Sequence, residues 1–306
     1  LCDFSIVIPT YGRPESLERL VRSLTGLAYP SDRFEVVVVD DGGPVDLETR
    51  LVPYRDRLNL TMLWQPNEGP GAARNVGARK AQGRYLAFTD DDCVVDSGWL
   101  RALAGALGSA DRAICGGRTL NRLEGNIYCE ATQLLVEYLF AHYNPTRTFG
   151  AFFPTNNMSV SREGFLEIGG FDGSLRFGED RDLCYRWAAR GYAFLDAPDA
   201  VVRHAHGLTF ASFLRLHHCY GEGTHRFRKG CSKKGLPPLP ISHPLWYVNL
   251  VLSGVRARQG WRGLTLSALL AATQAASLSG MMRSLLFPVD RGAGRGREGP
   301  QGSPST

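Results

Sequence analysis

Three consecutive carboxylates, Asp90, Asp91 and Asp92, follow the short apolar run Tyr85-Leu-Ala-Phe88, which reads as a buried strand. Oxyanions one residue apart at a strand end can share a hard divalent ion that keeps open positions for phosphate oxygens. The same triplet also suits a solvated acidic turn, so its surroundings must decide.

Those surroundings repeat one pattern. Phe4-Ser-Ile-Val-Ile8 ends in Pro9, Thr10, Tyr11, Gly12 and Arg13 before a helical pattern through Leu17, Leu20, Val21 and Leu24. Phe34-Glu-Val-Val-Val-Val39 stops at Asp40-Asp41-Gly42-Gly43, and Leu60 to Gln65 leads into Asn67-Glu-Gly-Pro-Gly-Ala-Ala-Arg-Asn75 and a further helix. Strands alternating with helices predict an α/β fold: a parallel sheet covered on both faces, with ligands beyond the carboxyl ends of its strands. The loops and the Asp triplet then share one rim. There Asp40 and Asp41 suit a base N–H and ribose hydroxyls, Arg13 and Arg74 suit phosphate, and Gly69 and Gly71 allow close backbone approach at a helix N-terminus. Each loop alone is also a serviceable turn or helix start.

Taken in order, Ile6-Val-Ile-Pro-Thr-Tyr-Gly-Arg13, Val37-Val-Val-Asp-Asp-Gly42, Asn67 to Asn75, Phe88-Thr-Asp-Asp-Asp92, Gly169-Gly-Phe-Asp172 and Gly178-Glu-Asp180 resemble family 2 glycosyltransferases of the GT-A fold. The match runs over roughly the first 230 residues. The resemblance implies a nucleotide-sugar donor, UDP-linked by preference, with bound Mn²⁺ or Mg²⁺. It also implies inversion at the anomeric carbon. Pro9, Thr10, Tyr11, Arg13, Asp40, Asp41, Arg74, Asp90 and Asp91 would then contact the nucleotide sugar. Asp92 and Asp90 would hold the metal, completed by His204 in Val201-Val-Arg-His204-Ala-His206, with His206 the weaker candidate.

By the same resemblance the catalytic base falls in Gly178-Glu179-Asp180, assigned to Asp180 with Glu179 as fallback and acceptor contact. Acidic residues in a first turn are also favoured by the helix dipole, which lowers a carboxylate's pKa and weakens it as a base. Asp182 is expected to pair with Arg186 one turn on. For the acceptor, Trp187 lies within sequence reach of the pair, and Thr155-Asn156-Asn157-Met158 resembles a family segment beside the donor sugar. The helical stretch Glu130 to Tyr143 brings further aromatics, most of which suit a core.

The 306 residues, 43% hydrophobic, suffice for a full core. A catalytic domain is expected over 1–230, with a nucleotide half to about 115 and an acceptor half beyond. A basic and apolar helical extension is expected over 231–287, and a disordered tail over 288–306. The apolar stretches Leu245 to Val255 and Leu264 to Phe287 carry too many polar residues for good spanning helices; they suit a membrane surface or packing against the domain or a second subunit. Seven cysteines without Cys-x-x-Cys spacing suggest reduced thiols. With no apolar leader before the first strand, they predict a cytoplasmic location, at the inner membrane face if the helices dock there.

The net charge of +5 comes without any nucleic-acid-binding motif, which argues against that partner. A nucleotidyltransferase would need a Gly-rich, Lys-containing phosphate loop, and a non-catalytic sugar-nucleotide binder could dispense with Asp92 and Asp180. The expected reaction is transfer of a single sugar to a hydroxyl on a glycan, a lipid-linked or a small-molecule acceptor.

Overall fold

The computed structural model describes residues 2–145, 149–239 and 242–287; the tail expected over 288–306 lies outside them. Strand and helix alternate from the start: β1 (Phe4–Thr10), α1 (Pro14–Leu24), β2 (Phe34–Asp40), the one-turn α2 (Glu48–Leu51), β3 (Leu60–Trp64), α3 (Pro70–Lys80) and β4 (Tyr85–Phe88). β5 (Cys93–Val95), α4 (Trp99–Leu107), β6 (Ala113–Asn121), α5 (Ile127–Tyr143), β7 (Met158–Ser161), α6 (Arg162–Glu167), α7 (Glu179–Ala189) and β8 (Ala193–His204) follow. α8 (Phe210–Lys233), α9 (Pro244–Ala257) and α10 (Gly260–Leu286) form the C-terminal helices.

All strands join one sheet in the order β3-β2-β1-β4-β7-β6-β8-β5. Alternation along a strand sends neighbouring side chains to opposite faces. In β1, Phe4, Ile6 and Ile8 enter a core shared with Leu17, Leu20 and Leu24 of α1, whereas Val7 packs into the core on the other face. Burial on both faces is why β1 and β2 read as unbroken apolar runs rather than alternating ones.

The parallel sheet expected from the repeats is realised for β3, β2, β1 and β4. Beyond β4, β6 and β8 form a further parallel pair. β7 pairs antiparallel with both β4 and β6, and β5 antiparallel with β8. A four-residue strand buried throughout, as β7 is, carries no directional mark in its composition. The parallel ends of β1, β2 and β4 put Thr10, Asp40 and the Asp triplet on one rim. Pairing of β5 with β8 sets Cys93 opposite His204 and brings the late strand's end to the same place.

Of the C-terminal helices, α10 is long and apolar enough to cross a membrane by length and composition alone, with 28% of its most apolar stretch buried. It packs along α8 and against α9 and α5. Gly221 and Gly280 permit the α8–α10 approach: a Cβ at either would meet a backbone oxygen of the other helix, Ser277 or His218, at 1.9 Å.

Candidate active site

The chain turns sharply after β4, with the Cys93 N–H donating to the Asp90 carbonyl at 3.0 Å, so the three Asp side chains fan in different directions. Asp91 points inward, fully buried, and accepts from Thr10 Oγ1 at 2.7 Å and from the Arg13 guanidinium. Asp92 meets Arg13 at 2.9 Å on one oxygen, and on the other His204 Nε2 at 3.1 Å; His206 Nδ1 stands 3.4 Å away. Burial opposes ionisation of Asp92, but His204, His206 and Arg13 hold its carboxyl well below the usual range. Burial would likewise lower His204, yet Asp92 keeps its pKa raised.

Asp90 faces the opposite way. Its Oδ1 accepts from Arg74 Nη2 at 2.5 Å, and Arg74 Nη1 donates to Glu179 Oε1 at 3.0 Å. Gly178, with φ +82°, makes the turn that starts α7 and presents Glu179 and Asp180. Burial, then the neighbouring Asp180, pushes Glu179 up to about 7. Burial also raises Asp180, whose Oδ1 accepts from the Arg181 N–H at 2.7 Å. Desolvation within the fold thus outweighs the lowering that the helix dipole exerts on first-turn carboxylates.

One cleft of about 790 Å³ gathers most of the expected residues: Pro9, Thr10, Tyr11, Arg13, Asp41, Arg74, Asp90, Asp92, Asn156, Glu179, Asp180, His204 and His206. Several expected roles need correction. Arg74 reaches the cleft but is 3% exposed, and it pairs with Asp90 and Glu179. Asp90 is spent on Arg74 and lies outside the group of possible metal ligands. Asp40 accepts from the Gly43 N–H and Asp91 is enclosed; neither lines the cleft. Asp41 lines it, but accepts from Gln65 and from the backbone of Glu68 and Gly69, holding two loops together.

On the acceptor side Trp187 is 0% exposed, donates to the Ala193 carbonyl and packs on Tyr192, so it stacks on no ligand. Asn157 is also fully buried, bonded to Trp99, Arg118 and Ala200, while its neighbour Asn156 accepts from Thr119 and reaches the cleft. Asp182 pairs with Arg186 at 2.7 Å as expected, and with Lys234 at 2.6 Å. Tyr220 of α8 went unnoticed in the sequence. It is 40% exposed and lines the same cleft as Asp90, Asp92, Glu179 and Asp180. Desolvation, then the charges of these residues, raises its phenol; a lone Tyr in a helical pattern carries no mark of this.

Asp92, Cys93 and His204 offer ligand atoms that lie within 4.8 Å of one another. Burial pushes the Cys93 thiol well above its ordinary value, and the carboxylate oxygen and imidazole nitrogen are the donors better matched to a hard divalent ion. That set, with Asp92 held ionised, fits a divalent cation such as Mn²⁺ or Mg²⁺.

The family model for glycosyl transferase family 2 matches residues 5–169. The chain is 29% identical over 260 residues to the pre-mycofactocin glycosyltransferase of Mycobacterium tuberculosis, covering 82% of this chain and 50% of that protein. It is 25% identical over 227 residues to glycosyltransferase AglE of Haloferax volcanii, covering 72% of each. The chain thus spans about half the length of the first of these relatives. Among solved structures, a mannosyltransferase of Pyrobaculum calidifontis in complex with GDP-Man and Mn²⁺ superposes with a TM-score of 0.67 at 16% identity, over 94% of this chain and 88% of that one. Residues 1–349 of Staphylococcus aureus TarS in complex with UDP-GlcNAc superpose with 0.58 at 18% identity, over 94% and 92%. The fold is therefore GT-A, and with more than half of its length matched by the family model, this chain belongs to glycosyl transferase family 2.

Proposed function

We propose that this protein transfers a single sugar, with inversion, from a nucleoside-diphosphate sugar to an acceptor hydroxyl, with Asp180 as the base. One observation carries the reading: a carboxylate raised by burial faces the same cleft as the Asp92–His204 pair. Asp92 and His204 would hold Mn²⁺ or Mg²⁺, which when bound neutralises charge developing on the leaving diphosphate. Tyr11, half exposed at the end of β1, is placed to stack on the nucleotide base, and UDP is the carrier we favour.

Asp180 would take the acceptor proton as the hydroxyl attacks the anomeric carbon. Glu179 is the poorer base because Arg74 holds its oxygen at 3.0 Å. Its role is to fix the first turn of α7 against the Asp90 loop. Tyr220 can donate to the acceptor beside Asp180. The test is Asp180→Asn assayed for donor binding and for transfer separately; retained binding with lost transfer supports the assignment, and normal turnover removes Asp180 as the base.

A further inference from the structure

Away from the nucleotide loops, the cleft runs on between α5, α8, α9 and α10. Leu135 and Leu139 of α5, Trp246 and Tyr247 of α9, and Leu278 and Met281 of α10 wall this arm. α10 closes tightly on α8 at Gly221 and Gly280, and on α9 at Gly254, where a Cβ would meet the Ser267 N–H at 2.4 Å. α9 in turn leans on α5 through Tyr138 and Trp246, whose rings lie 5.1 Å apart.

Three buried polar atoms on the helices around the arm, His217 Nδ1, Arg228 Nε and Trp246 Nε1, have no hydrogen-bond partner among the described residues. Burial takes His217 down to about 4, so it is a neutral group at physiological pH. The mouth is apolar as well: Tyr247 is 40% and Leu278 60% exposed, with Val248 of α9 and Met282 of α10 exposed close by in sequence.

The same helices add Thr224, Arg228, Gln274 and Ser277 to the lining, yet the wall is mainly apolar and contributes to binding chiefly by removing apolar surface from water. Resting on the transferase reading above, we propose that the acceptor is an amphiphile. Its hydroxyl-bearing end lies at Asp180, its apolar aglycone fills the arm between α5, α8, α9 and α10, and a linking oxygen meets His217 or Trp246. The arm shares one cleft with Asp180 and is built from helices rather than from the loops after β1 and β2 that carry Tyr11 and Asp41, which assigns it to the acceptor rather than the donor.

The test titrates the whole protein with methyl, butyl, hexyl and octyl β-glucosides below their micelle concentrations, with phenyl β-glucoside as a further arm and UDP with Mn²⁺ on the same sample. Affinity should rise about fourfold per added methylene until the arm is filled. Phenyl exceeding hexyl would identify an aromatic aglycone, and the reverse an alkyl chain. Leu278→Ser, at the exposed mouth, and Met281→Gln should each flatten the dependence. Equal affinity for methyl and octyl glucosides, with UDP still bound, overturns this inference and leaves the donor reading standing. Loss of UDP binding in folded protein overturns the donor reading, and with it the acceptor assignment.

Discussion

Arg74 on α3 reaches Glu179 on α7 at 3.0 Å, and because its other nitrogen holds Asp90 at 2.5 Å, one buried guanidinium joins the acidic turn after β4 to the Glu-Asp pair. Residues 105 positions apart in sequence become one site through it. Removing one member of a buried ionic group leaves the others uncompensated, which costs about 3–5 kcal/mol. Arg74→Ala should therefore lower stability by that amount in urea unfolding. Arg74→Lys should also be impaired, because an ammonium cannot span both carboxylates as a fork. Wild-type stability in Arg74→Ala would show the bridge to be dispensable.

A base must be deprotonated to act, so the acid limb of kcat/KM should lie above the ordinary aspartate value of about 3.9, activity rising with pH through the raised Asp180 pKa to a plateau. Asp180→Asn should reduce turnover by about 10²- to 10⁴-fold with donor affinity little changed. Rate profiles and donor titrations on both proteins check this.

Glu179 gives a separate signature in stability. Its folded pKa of about 7 exceeds its ordinary value of 4.5, so between these values the folded state holds the proton more tightly and stability falls as pH rises. Glu179→Gln should flatten that slope between pH 4.5 and 7, measured by chemical denaturation at several pH values.

Metal dependence should follow Asp92 and the histidines. Asp92→Asn should abolish the effect of Mn²⁺ on donor binding. His206→Ala, which removes a partner 3.4 Å from Asp92, should weaken Mn²⁺ affinity by about 10- to 100-fold, and His204→Ala by more. Chelation of wild-type protein by EDTA should reproduce the Asp92→Asn phenotype, read by calorimetry.

Trp187 should behave as a core residue. Trp187→Ala should cost about 3–5 kcal/mol of stability, and any surviving folded fraction should keep its acceptor preference. A changed preference in a stable variant would return Trp187 to the acceptor site.

The strands β1, β2 and β4 were legible because burial on both faces writes an unbroken apolar run, and the loops after them because carboxylates at strand ends are conspicuous. Asp92 stood out in the triplet, whereas Asp180 and His204 were named from the family resemblance; all three converge on one cleft. What the side chains do with one another was not legible. Arg74 and Arg13 looked like phosphate ligands, yet both spend their charge on carboxylates, a pairing set by strand register and by the approach of α7. Trp187 is buried because sequence distance from Asp180 does not tell which side of a helix faces the core, and Asn157 is buried because resemblance of a segment does not tell which of two neighbouring side chains faces inward. Tyr220 was missed because the approach of α8 to the acidic cluster is a tertiary event.

The central claim is that the acidic rim binds a nucleoside diphosphate with the help of a divalent ion. Calorimetric titration of the purified protein with UDP, dTDP and GDP, each with and without Mn²⁺, tests it most directly. The account predicts that one of them, UDP by preference, binds and that Mn²⁺ strengthens the binding. Folded protein that binds none of the three, with or without the metal, would contradict it.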